Sequence, residues 1–127
     1  DVDRAIFEAL GELAPSVQIE RLLSEPATAS SIETKLYRAI EEVLREAHPG
    51  AVVVPILFPG GSDLRVGRRK GGVGYGFGSC ASGVTLGEVY SQLHAHDEHM
   101  PIEDVFSTAR DLERLVRLYI GASFRAQ

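Results

Sequence analysis

Apolar and polar positions alternate with two different periods along this chain. Between Asp3 and Leu13, Ile6, Leu10 and Leu13 recur at helical spacing, with Asp3 as the N-cap and Pro15 as the stop. Val17 to Leu23 reads as a strand. The small residues and Pro26 of Ser24 to Ser31 read as a linker, which places a boundary between a unit over 1–30 and a unit over 31–127. Ser30 and Glu33 are spaced as a capping box for a helix that runs to about Ala47, with Ile32, Leu36, Ile40, Val43 and Ala47 on one face. Pro49-Gly50 ends it.

Ala51 to Leu57 is a continuous apolar run. A strand without alternation is buried on both faces, as in the interior of an α/β sheet. The loop Phe58-Pro59-Gly60-Gly61-Ser62-Asp63 follows, and a short helix starts at Ser62 or Asp63. Val73, Tyr75 and Phe77 alternate with Gly74, Gly76 and Gly78, so this strand has a bulky face and a bare face that lets another backbone, or a ligand, approach closely. Ala81 to Glu88 reads as a small-residue loop, and Val89 to His99 as a short segment with a polar end. A last helix starts near Pro101, with Glu103 and Asp104 in its first turn and Val105, Ala109, Leu112, Val116 and Tyr119 as its buried stripe.

The formal net charge of −5 argues against nucleic acid or an anionic membrane as partner. The one basic cluster, Arg65, Arg68, Arg69 and Lys70, reads as a solvated or carboxylate-binding patch. The longest apolar run is too short to span a bilayer. A single cysteine, Cys80, excludes an internal disulfide and fits a reducing compartment, so the expected location is cytoplasmic. The 127 residues suit about one domain. The start at Asp1-Val2-Asp3, without an initiator methionine, is compatible with a piece of a longer polypeptide.

The densest candidate chemistry is His94-Ala95-His96-Asp97-Glu98-His99. Imidazole and carboxylate are ordinary zinc ligands, although the run also reads as a polar surface loop before a helix. Gly60-Gly61-Ser62-Asp63, after an apolar run, reads either as an anion-binding turn or as a tight turn with an N-cap. Gly74, Gly76 and Gly78 do not carry the dinucleotide fingerprint and read as packing. Cys80 lacks a nucleophile elbow. His48 reads as a helix C-terminal residue.

Taken in order, Pro49-Gly50, the apolar run, Gly60-Gly61-Ser62-Asp63-Leu64-Arg65, Gly74-Tyr75-Gly76-Phe77-Gly78, His94-Ala95-His96-Asp97-Glu98-His99 and the final helix resemble the C-terminal portion of a family of zinc-dependent amide hydrolases. That family includes aminoacylases, acetylornithine deacetylase, succinyl-diaminopimelate desuccinylase and glutamate carboxypeptidases. The resemblance covers about Ser31 to Gly121. It implies the C-terminal part of a zinc-peptidase-like α/β catalytic domain over 31–127. More loosely, it implies the end of an α+β lid domain, which often dimerises, over 1–30.

By the same resemblance His94 is a zinc ligand, with His96 as its rival. Gly60, Gly61 and Ser62 line the substrate pocket, Asp63 and Arg65 hold that loop, and Glu98 is a supporting acid. Ala95 and His99 depart from the family's usual glycine and arginine. A two-zinc hydrolase needs further ligands and a general base. None occurs here in matching context, since Glu41-Glu42 sits mid-helix beside Arg38 and Arg45. The whole protein is thus expected to be a zinc metallohydrolase of peptides or N-acyl amino acids, the remainder of the catalytic domain its partner, with a homodimer possible. The chain alone is expected to hold no catalytic residue, to bind zinc weakly or not at all, and to be inactive. The competing readings are a non-catalytic dimerisation or binding module, and a single-zinc site built from His94, His96 and His99.

Overall fold

The computed structural model describes residues 2–80 and 82–124. The ends of the two expected units, at Asp1 and at 125–127, and the expected loop start Ala81 lie outside the described residues. The elements are α1 (Val2–Leu10), a 3-10 helix (Gly11–Ser16), α2 (Lys35–Ala47), α3 (Leu64–Arg69), α4 (Leu86–Gln92) and α5 (Ile102–Phe124).

The core lies where α2 meets α5. Ala39, Ile40, Val43 and Leu115 are buried together, and Leu36, Leu44, Tyr75, Phe77 and Leu118 pack against them. Val43, at 1% exposure, is the centre of this cluster. Thr34 starts α2 by accepting the Tyr37 N–H on its hydroxyl (3.1 Å). The helix ends at His48, whose N–H reaches the Leu44 carbonyl, and Gly50 then takes the positive φ of 85° that turns the chain. Glu46 of α2 pairs with Arg114 of α5 across the outer edge of this contact.

The segment 72–80 runs beside the core without forming a ladder. Tyr75 meets Tyr37 edge to face at 5.4 Å. Its hydroxyl donates to the Ser31 carbonyl (2.5 Å) and is bonded to the Thr34 hydroxyl (2.6 Å). A Cβ on Gly74 would stand 2.8 Å from Leu64 Cδ2, so the bare residue lets this side chain of α3 pack close here. A Cβ on Gly76 would meet nothing within 4 Å, and one on Gly78 would lie 4.0 Å from Thr108 Oγ1, so the bare face is approached closely at Gly74.

Several expectations are corrected. The fold is helical, with no strand among the described residues, rather than an α/β domain preceded by an α+β lid. The reason is physical: an apolar run signals a need for burial, whereas a strand exists only when a second backbone satisfies its amides and carbonyls. Residues 51–57 form no regular element, and all but the half-buried Val53 are exposed, Leu57 at 90%. Val17 to Leu23 is likewise irregular. Thr34, not Ser30, caps α2, and Ile32 lies outside the buried face. Asp3 lies inside the first turn of α1, and Pro15 sits within the 3-10 helix rather than stopping the segment. Neither of these first two elements buries a residue, and among the helices they pack only on each other.

The largest reversal is on α5. Val105, Ala109, Leu112, Val116 and Tyr119 face outward, while Asp104, Ser107, Asp111 and Leu115 are buried. Val43→Ala should therefore lower the unfolding free energy by about 2 kcal/mol, from lost transfer energy and a residual cavity. Val116→Ala should stay within about 0.5 kcal/mol. Urea denaturation of the two variants measures the contrast, and equal losses would show that the outer face is also packed.

Candidate functional site

The glycine turn is built by local bonds. Phe58 folds back so that a Cβ on Gly60 would come within 2.5 Å of its ring, and a larger residue there would push this exposed ring aside. The Ser62 hydroxyl accepts the Leu64 N–H (3.2 Å), and the Ser62 carbonyl accepts the Arg65 N–H (3.1 Å) and faces Arg65 Nη1 at 3.5 Å. Asp63 precedes the first residue of α3, with its side chain exposed and making no capping bond. Gly60, Gly61, Ser62 and Asp63 are all exposed.

The histidine loop is reached through a second set of contacts that begins on α5. Asp104 accepts the Ser82 N–H (2.8 Å) and hydroxyl (2.7 Å). The Ser107 and Thr108 hydroxyls donate to the Ser79 carbonyl (3.1 and 3.2 Å), and the Ser79 N–H donates to Thr108 Oγ1 (3.0 Å). Ser79 Oγ also shares a hydrogen bond with His48 Nε2 (3.2 Å). The buried polar stripe of α5 thus fixes Ser79 and Ser82, which precede α4. Asp111, on the same stripe, is 2% exposed; its Oδ1 accepts from Arg110 (3.2 Å) and its Oδ2 has no partner among the described residues.

A capping box starts α4: the Thr85 hydroxyl accepts the Glu88 N–H (3.3 Å), and Glu88 Oε2 accepts the Thr85 N–H (2.7 Å). Tyr90 of this helix meets the Phe58 ring at 5.9 Å. Phe58 is the residue folded over Gly60, and Tyr90 lies one turn before His94. This aromatic contact joins the glycine turn to the helix that delivers the histidine loop.

His94 has φ 62°, and is the non-glycine residue with positive φ among the described residues. Its N–H donates to Glu98 Oε2 (3.1 Å). The Ala95 N–H reaches the Gln92 carbonyl (2.9 Å), and the His99 N–H reaches Gln92 Oε1 (3.3 Å). His99 Nδ1 donates to the Asp97 carbonyl (2.6 Å), which places the proton on Nδ1 and leaves Nε2 as the free lone pair. His94, His96 and His99 are exposed. Among the described residues, no group of three or more histidine, cysteine, aspartate or glutamate side chains gathers as a metal ion requires. The exposed imidazole of His94 is chemically able to serve as one zinc ligand.

The sequence reading anticipated the glycine turn and the histidine loop. It missed the Phe58–Tyr90 link and the polar stripe. The spacing of Asp104, Ser107, Thr108 and Asp111, all on one helical face, was the available signal for the stripe. It also missed the box at Thr85 and Glu88, written in the sequence as Thr-x-x-Glu. The half-buried Glu41 accepts from Arg45 one turn on (3.0 Å), and Glu42 is exposed. Cys80 is a free, exposed thiol. The chain matches no family model, no curated protein and no solved structure.

The two bonds from Thr85, the backbone one first, hold the Glu88 carboxyl below the ordinary glutamate range. With the folded value depressed, the stabilisation is fully present above the ordinary glutamate range and is lost as pH falls through the depressed value. Cα chemical shifts of residues 86–92 should move toward coil over that acid window. Glu88→Gln should flatten the transition, whereas an unaltered profile would assign it to other carboxyls.

Proposed function

We propose that this chain is the C-terminal portion of a metal-dependent amide hydrolase acting on peptides or N-acyl amino acids. His94 serves as one zinc ligand, and Gly60, Gly61, Ser62 and Asp63 form a wall of the substrate pocket. The observation that carries the reading is the Phe58–Tyr90 contact, which joins the two loops that the motif order singles out. Support also comes from the His94 loop, whose bonds go to its backbone and leave the imidazole exposed.

Zinc, when bound, would supply Lewis-acid chemistry at the amide carbonyl and a water nucleophile at neutral pH. The remaining work falls to this chain's groups. Glu98 orients the histidine loop by holding the His94 N–H. The hydroxyl and free amides of the glycine turn can face a substrate carboxylate. The remaining metal ligands and the general base would come from polypeptide outside these residues, so the chain alone would catalyse nothing. A cytoplasmic location belongs to the same proposal; among the described residues no helix is long and apolar enough to cross a membrane. The alternative, a non-catalytic dimerisation or binding module, draws on the exposed outer face of α5.

Zinc titration followed by histidine ring NMR tests the reading. The His94 resonances should respond first. His94→Ala should lower the weak affinity by about tenfold or more, the size of effect seen when a metal site loses even a supporting group. His96→Ala should change it little. Zinc binding that survives His94→Ala, or turnover of an N-acyl amino acid by the 127-residue chain, would overturn the proposal.

A further inference from the structure

Three guanidinium groups project from α3, and they are used in two different ways. Arg68 is committed to neutral oxygens: Nη2 and Nε donate to the Gly74 carbonyl (2.6 and 3.2 Å), Nε to Ser30 Oγ (3.1 Å) and Nη1 to the Thr28 carbonyl (3.3 Å). Arg65 and Arg69, one turn apart, converge instead on a single carboxylate oxygen, Glu25 Oε2. Arg69 Nη2 is hydrogen-bonded to it and Arg65 Nε lies 3.9 Å away. Two planar forks around one carboxylate form a receptor for that group, and one positive charge is left over when Glu25 is in place. The bond from Arg69, with both positive charges, holds the Glu25 carboxyl below the ordinary glutamate range, so it is ionised at neutral pH.

Glu25 sits in the irregular stretch 17–34, with Leu22 and Leu23 exposed beside it. The pair is solvent-accessible, and such contacts are weak. The site adjoins the glycine turn: the Arg65 N–H is bonded to the Ser62 carbonyl, and a Cβ on Gly61 would lie 3.6 Å from Arg65 Nη1.

We propose that Arg65 and Arg69 form a carboxylate-binding site that the chain's own Glu25 fills, so that residues 22–27 are a strap which an incoming carboxylate displaces from the edge of the glycine turn. Thr28 and Ser30, held by Arg68, are the fixed end of the strap. The inference stands independently of the metal reading, because it requires only the guanidinium pair and its internal occupant.

Succinate is the probe, titrated against the whole chain at constant ionic strength set with chloride, with the arginine Nε–H signals observed by NMR. Glu25→Gln removes the internal competitor, whose effective concentration is in the millimolar range, and should tighten succinate binding about tenfold. Adding Arg65→Ala and Arg69→Ala to Glu25→Gln should abolish the gain. In the wild type, succinate should speed amide exchange over 22–27 and leave α2 and α5 unchanged. Equal affinities in wild type and Glu25→Gln would overturn the proposal. So would a gain that survives loss of both arginines, or exchange over 22–27 that chloride accelerates as much as succinate does.

Discussion

The packing of α2 on α5 around Val43 and Leu115 is the contact on which the rest of this structure depends. It is a small core. Among the described residues five apolar side chains are buried, and apolar residues on α1, along 51–57 and on the outer face of α5 remain in contact with solvent. At about 25 cal/mol per Å2 of apolar surface removed from water, so few buried side chains leave much of the chain's ordering to be offset by other interactions. Those interactions are polar. Arg68 gathers Thr28, Ser30 and Gly74, Tyr75 ties Ser31 and Thr34 to the core, and Asp104 with Thr108 holds Ser82 and Ser79.

This reliance on hydrogen bonds explains the orientation of α5. The helix carries two stripes of helical period. One is apolar through Val105, Ala109, Leu112, Val116 and Tyr119; the other runs through Asp104, Ser107, Thr108, Asp111 and Leu115. The apolar stripe offers more transfer energy, but nothing among the described residues can cover it. The polar stripe finds the carbonyl and N–H of Ser79 and the N–H of Ser82, and Leu115 then completes the core with α2. A buried backbone group left without a partner costs on the order of 1–3 kcal/mol, so satisfying the carbonyl and N–H of the buried Ser79 weighs heavily in a core this small.

Legibility in the sequence divides along the same line. Features set by local chemistry were readable: Pro49-Gly50 as the end of α2, Asp63 beside the start of α3, Pro101 beside the start of α5 and the close approach at Gly74. Features set by choice of partner were not. Nothing in Ala51 to Leu57 says whether a neighbouring backbone is there to pair with it, and periodicity does not rank two stripes on one helix. At the candidate site, the residue types of the glycine turn and histidine loop were visible as motifs. The Phe58–Tyr90 contact that joins them depends on α4, whose capping residues were hidden in a run of small side chains.

The backbone at His94 shows how such a loop can present a donor. A left-handed conformation in a residue with a Cβ costs about 1–2 kcal/mol and persists only where its surroundings over-determine it. Here the determinants are Glu98 on its own N–H, Gln92 through the Ala95 and His99 amides, and the capped helix behind them. Every one of those bonds acts on main chain. The loop therefore absorbs its strain in the backbone and leaves the imidazole of His94 free of intramolecular bonds among the described residues. A ring held at a fixed backbone position with uncommitted nitrogens loses little on acquiring a ligand. A ring already bonded, as at His99 Nδ1, has to give something up at that nitrogen. The His96 ring is likewise exposed, so what sets His94 apart is its fixed backbone, and on the proposed reading it is the histidine that meets a metal.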